Sequence, residues 1–201
     1  MPKDSQPWPM RWIVVAILLM IVPYTIITLK YRKEAPAFQP YEDMKNRANV
    51  SRLLSAGYQR LRLTAERPAS DVNVPGGALV TPAPGGLTPE LRSTLVEPPL
   101  LPTEIVSITA APTANILQPY VIQFICELPT DKQHLGGAEL YVREEELVLV
   151  PTFQRIDGDL LTRSRQTIVL VTLPAGTVKS GTYKITLVGE KSSRTWSLEM
   201  R

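Results

Sequence analysis

The sequence has a single cysteine, Cys126, and a single histidine, His134. One cysteine excludes an intramolecular disulfide. One of each is too few for a structural zinc site, which takes four Cys or His ligands. There is no phosphate-binding loop, dinucleotide fingerprint, Gly-x-Ser-x-Gly elbow or His-Glu-x-x-His helix. The methionines are scattered: Met1, Met10 and Met20 stand at the hydrophobic end, and Met44 and Met200 lie far apart. That spacing does not indicate a copper site. Neither a cofactor nor a metal is expected. Charge of one sign is also in short supply, with a net value of +3. Residues 1–100 hold 12 Lys/Arg against 8 Asp/Glu, and residues 101–201 hold 10 against 11. The basic excess therefore sits beside the N-terminal hydrophobic run, which points to lipid headgroups. The near-neutral second half lacks the electrostatic footprint of a nucleic-acid binder.

What the sequence does have begins with an uncharged stretch, Trp12–Leu29, WIVVAILLMIVPYTIITL. A bilayer core of about 30 Å takes about 20 apolar residues as a helix. Arg11, Lys30, Arg32 and Lys33 flank the run and are placed to snorkel, while Trp8, Trp12 and Tyr31 are placed for an interfacial aromatic belt. A cleaved signal peptide is the competing reading. The run is longer than the signal core of about 7–15 residues, and Lys30-Tyr31-Arg32-Lys33 follows in place of small residues. The expectation is one transmembrane helix over 12–29 after a short tail, 1–11. Orientation is contested. Positive residues after the run favour a cytoplasmic C-terminal side, whereas a short tail before it favours a signal anchor with the remainder outside. The second is adopted, with the protein in the cytoplasmic (inner) membrane.

Residues 40–56 predict a helix, opened by Pro40, Glu42 and Asp43 and stopped at Gly57. Alternation from Gln59 predicts a short strand, completing a basic juxtamembrane segment over 30–65. Such a helix could lie on the membrane, on a partner, or on the protein's own domain. Arg47, Arg52, Arg60 and Arg62 are candidate partner contacts there. Proline is plentiful, 19 of 201 residues, and its clustering over 66–102 predicts a Pro/Gly linker acting as a semi-extended spacer. Thr88-Pro89 opens one short helix within it.

From 103 to 201 the chain reads as strands: 103–110, 119–128, 138–143, 147–153, 166–173, 181–188 and 194–200. About seven short strands in roughly 100 residues predict a mainly β domain, an immunoglobulin-like β-sandwich. The ending LPAGTVKSGTYKITLVGEKSSRTWSLEM resembles the last hairpin of bacterial immunoglobulin-like modules, a likeness that implies fold and no activity.

Within this region Cys126 shares an alternating face with Ile122 and Phe124, which predicts a buried small hydrophobe. His134 falls in a turn-rich stretch, so it pairs with the thiol only if that loop folds back over the sheet. Glu144-Glu145-Glu146 predicts an acidic hairpin tip, and Asp157-Gly158-Asp159 a turn. Arg163 and Arg165 precede a strand, as edge protection or as contacts for an acidic partner. The expected protein is a membrane-anchored, non-catalytic accessory or assembly factor of a larger bacterial membrane complex. Its expected partners are the lipid bilayer and one or more membrane proteins. The alternative is a sensory protein whose sandwich binds a small ligand or peptide.

Overall fold

The computed structural model describes residues 9–31, 40–69, 72–156, 162 and 164–201. Trp8, Arg32, Lys33, Arg163, the start of the tail and the Asp157-Gly158-Asp159 turn lie outside the described residues. The chain forms two units, Met1–Pro40 and Tyr41–Arg201.

The first unit contains helix α1, Met10–Tyr31. Its 22 residues at about 1.5 Å each give about 33 Å, enough to cross a hydrocarbon core of about 30 Å. None of the apolar window within Met10–Thr28 is buried against protein. The threonine hydroxyls are satisfied inside the helix: Thr25 Oγ1 donates to the Ile21 carbonyl at 2.8 Å, and Thr28 donates to that of Tyr24. Internal satisfaction of this kind is what a solvent without hydrogen-bonding capacity demands. Pro23 lies in the helix interior. One helix is thus long and apolar enough to span a bilayer.

The second unit is mainly β. Helix α2, Pro40–Ser55, leads into β1, Gln59–Glu66; β2, Thr81–Pro84, and a short helix α3, Pro89–Thr94, follow. Then come β3, Glu104–Thr109; β4, Thr113–Ala114; β5, Tyr120–Glu127; and β6, Gln133–Arg143. The last four are β7, Glu146–Arg155; β8, Gln166–Leu173; β9, Gly181–Leu187; and β10, Ser192–Met200. They form one curled mixed sheet in the order β2-β10-β9-β7-β6-β1-β8-β5-β3, with β4 beside β10. Pairing is antiparallel except for β7 with β9 and β4 with β10. Strand β1 is the seam: Gln59–Leu63 pairs with β6, and Thr64–Glu66 pairs with β8.

The curl encloses the main core. Alternate side chains of β5, β8, β9 and β10 point inward, including Phe124, Val169, Ile185 and Leu198, as a period of two requires. Tyr120 and Trp196 stitch the ends together: the Tyr120 hydroxyl donates to the Ala111 carbonyl at 2.8 Å and accepts from Trp196 Nε1 at 3.3 Å. A second, smaller core lies on the outer face of the sheet. There Tyr141, Val148, Val150 and Val188 pack against Leu53, Leu91, Leu95 and Tyr58. Strand β7 is consequently buried on both faces over Leu147–Val150, which is why its sequence reads as a continuous apolar run.

Residues 66–102 differ from the spacer expected of them. Val74, Leu91 and Leu95 are buried, β2 pairs with β10, and the Ala78 N–H bonds the Ala110 carbonyl. Proline-rich sequence still forms this edge strand because Pro82 and Pro84 need no partner on the outer side. Gly85 allows the approach: a Cβ there would lie 2.3 Å from the Lys191 backbone. Strand β6 also begins earlier than the alternation predicts, so His134 is a strand residue and not a loop residue. The Gly136-Gly137 pair forms a bulge, with φ of 150° at Gly137, and the strand runs through it. The acidic tip is a two-residue turn, Glu144-Glu145, with φ of 53° at Glu144.

Candidate partner-binding cleft

Helix α2 has two working faces. One packs on the sheet: Leu53 is buried in the outer core, and the buried Asn49 Oδ1 accepts from the Val96 N–H at 2.8 Å. Lys45 pairs with Glu97 beside it and holds that carboxyl below its ordinary range. The other face carries Met44, Val50 and Leu54, which are 69%, 46% and 61% exposed, with Arg47 among them.

The corner from α2 into β1 is a Schellman turn. The Gly57 N–H bonds the Leu54 carbonyl at 3.1 Å and the Tyr58 N–H bonds that of Leu53 at 2.8 Å. Gly57 has φ of +79°, a conformation that glycine adopts without steric cost. Tyr58 then drops into the outer core beside Leu53, with Arg143 stacked 4.6 Å from its ring centre.

Along β1, Arg60 and Arg62 stand opposite Tyr141 and Glu139, while Leu61 and Leu63 stand opposite Leu140 and Ala138. The arginines therefore share the outer face with α2, and the leucines face the main core. Arg60 pairs with Glu139, whose other oxygen accepts from the Tyr141 hydroxyl at 2.6 Å. Burial works against the Arg60 charge, but the Glu139 hydrogen bond and charge outweigh it and raise its pKa. Burial, with Glu139 beside it, also pushes the Tyr141 hydroxyl up. Arg60 Nε is buried without a partner.

Between α2 and β1 runs an open cleft of about 940 Å³. Arg47, Arg60 and Arg62 line it together with Val50, Leu54 and Leu61, and no acidic residue is among the described lining residues. The structure thus brings together three of the expected contact arginines. Arg52 is exposed on α2 and is not part of the cleft lining. Arg165 sits before β8 and pairs with Asp131 at 3.0 Å. Of the expected membrane-interface residues, Arg11, Trp12 and Lys30 are exposed on α1, and Tyr31 ends it. The sequence signal for the cleft was present but divided. Of the apolar residues of α2, Leu53 is inside, whereas Val50 and Leu54 are outside.

Cys126 is sealed in the main core, where burial pushes its thiol up to about 12. At neutral pH it is a protonated thiol, a poor nucleophile. His134 is exposed near the start of β6. Comparison with protein-family models, curated proteins and solved structures finds no match.

Proposed function

We propose that this chain is a single-pass protein of the cytoplasmic membrane of a bacterium, acting as a non-catalytic accessory or assembly component of a larger membrane complex. On this reading α1 is the anchor, and the β domain, of immunoglobulin-like type, lies outside the cytoplasm and binds a membrane-protein partner. The observation that carries it is the cleft, whose exposed Val50 and Leu54 lie beside three arginines, with no acid among the described lining residues. Exposed apolar surface rimmed by charge is a mark of interaction sites. Helix α2 follows α1 closely in sequence, which favours a partner that is itself membrane-bound.

The test is purification of the tagged full-length chain in mild detergent, beside an R47E/R62E variant of unchanged melting temperature. The reading expects a stoichiometric membrane-protein complex that the variant loses. A monomer running alone, or a complex indifferent to the variant, overturns it. Protease access to the β domain in intact spheroplasts tests the orientation, and full protection overturns that part.

A further inference from the structure

The seam strand has a bare edge. Gln59–Leu63 pairs with β6 on one side, and among the described residues no strand pairs with it on the other. The reason lies in β8. Thr64 stands opposite Thr172, so the continued register would set Leu63 against Leu173 and Arg62 against Pro174. Strand β8 ends at Leu173. Pro174 has no N–H to offer, and the chain turns away there: the Thr177 N–H bonds the Pro174 carbonyl, and the Gly176 N–H bonds the Ile116 carbonyl. Five residues of β1 are left with one row of backbone groups unpaired by any strand among the described residues.

This edge opens into the cleft. Leu61 belongs to one face of β1 and Arg60 and Arg62 to the other, yet all three line the same groove. The four consecutive residues Gln59 to Arg62 of this bare stretch all line the groove. Exposed edges are templates for pairing with another chain, and proteins usually blunt them. Here the edge is walled instead by Val50 and Leu54 of α2.

Resting on the partner-binding reading above, we propose that the cleft takes an extended acidic segment of the partner, which adds as a strand to Gln59–Leu63 of β1. Backbone pairing supplies the common attraction, and alternate side chains supply the selectivity. A strand with acidic and apolar residues in alternation sets its acids beside Arg62 and Arg47 and its apolar side chains beside Leu61. Glu139 already neutralises Arg60, so Arg47 and Arg62 carry the charge selection. A second copy of this chain fits poorly, because pairing two such edges brings the arginines together.

The test uses the full chain in phosphatidylcholine nanodiscs and a labelled, end-capped peptide of four Glu-Val repeats, with a Lys-Val peptide as control. The proposal expects the Glu-Val peptide to bind at least about tenfold tighter than the control. It expects slowed amide exchange within Gln59–Leu63, and about a tenfold or greater loss of binding in R62E. Binding without slowed exchange there, or equal binding of both peptides, overturns strand addition. So does slowed exchange at the edge in phosphatidylglycerol nanodiscs or in a dimer without peptide, which assigns the edge to lipid or to a second copy. If the peptide fails while R47E/R62E still loses its co-purified partner, the strand mechanism alone falls. If the variant keeps its partner, the partner-binding reading falls with it.

Discussion

Replacing Leu53 by alanine removes a side chain that is 1% exposed and joins α2 to Tyr141, Val148 and Val150 of the sheet. A buried Leu→Ala substitution costs about 2–5 kcal/mol, set by how far the site collapses around the void. The outer core lies between two helices and one sheet face, so partial collapse is available and about 2–3 kcal/mol is expected. In a domain of this size, about 2–4 °C of melting temperature goes with each kcal/mol. The midpoint should fall by about 4–12 °C. Trp196, buried in the main core, is the reporter, since its fluorescence follows unfolding of the sheet and not of α2 alone. Leu54→Ala, one residue on and 61% exposed, is the control and should stay within about 0.5 kcal/mol. If Leu53→Ala leaves the Trp196 transition within about 1 °C of the parent, α2 is not part of the cooperative unit and the reasoning fails.

Glu139→Ala leaves Arg60 mostly buried with its charge uncompensated; urea unfolding should show a loss of about 2–4 kcal/mol, and Glu139→Gln a smaller one. Gly85→Ala should weaken or detach β2, because its Cβ would meet the Lys191 and Glu190 backbone at 2.3–2.4 Å; faster amide exchange at Thr195, paired with Thr81, would report it. Burial raises the Cys126 thiol from 9.0 to about 12 and the Tyr120 hydroxyl from 10.0 to about 12, the latter against the Trp196 hydrogen bond. Folding therefore favours their protonated forms. That stability is fully present below pH 9 and drains away as pH climbs towards 12, so melting temperature should drop across this alkaline window. A thiol reagent should leave native Cys126 unlabelled at pH 8 and label it in urea. Glu144→Gly removes a left-handed glutamate and should stabilise by about 0.5–1 kcal/mol in a urea titration, the αL relief exceeding the added chain entropy.

Local signals carried much of the strand pattern. Alternation marks 166–173 and 181–188 plainly, and the structure has β8 at Gln166–Leu173 and β9 at Gly181–Leu187. The caps of α2 and α3 were legible too, in Pro40, Gly57 and Thr88-Pro89. Topology was not. Nothing local says that β1 joins two parts of the sheet, because the switch at Thr64 depends on where β8 stops. The stretch around His134 reads as turn-rich, yet its Gly136-Gly137 pair makes a bulge inside β6. Composition misled over 66–102, since Val74, Leu91 and Leu95 are too sparse to show a period but each fills a space on the domain. The arginines of the cleft were visible singly, whereas their grouping required the β1–β6 register and the Schellman turn at Gly57.

The central claim is that the α2/β1 cleft seats a partner in the membrane. A photoreactive benzoylphenylalanine in place of Leu54, irradiated in intact cells, probes it most directly, with Leu117, 84% exposed, as the comparison site. The account predicts a defined membrane-protein adduct from position 54 and none from position 117. No adduct from position 54, or the same adduct from both, would contradict it.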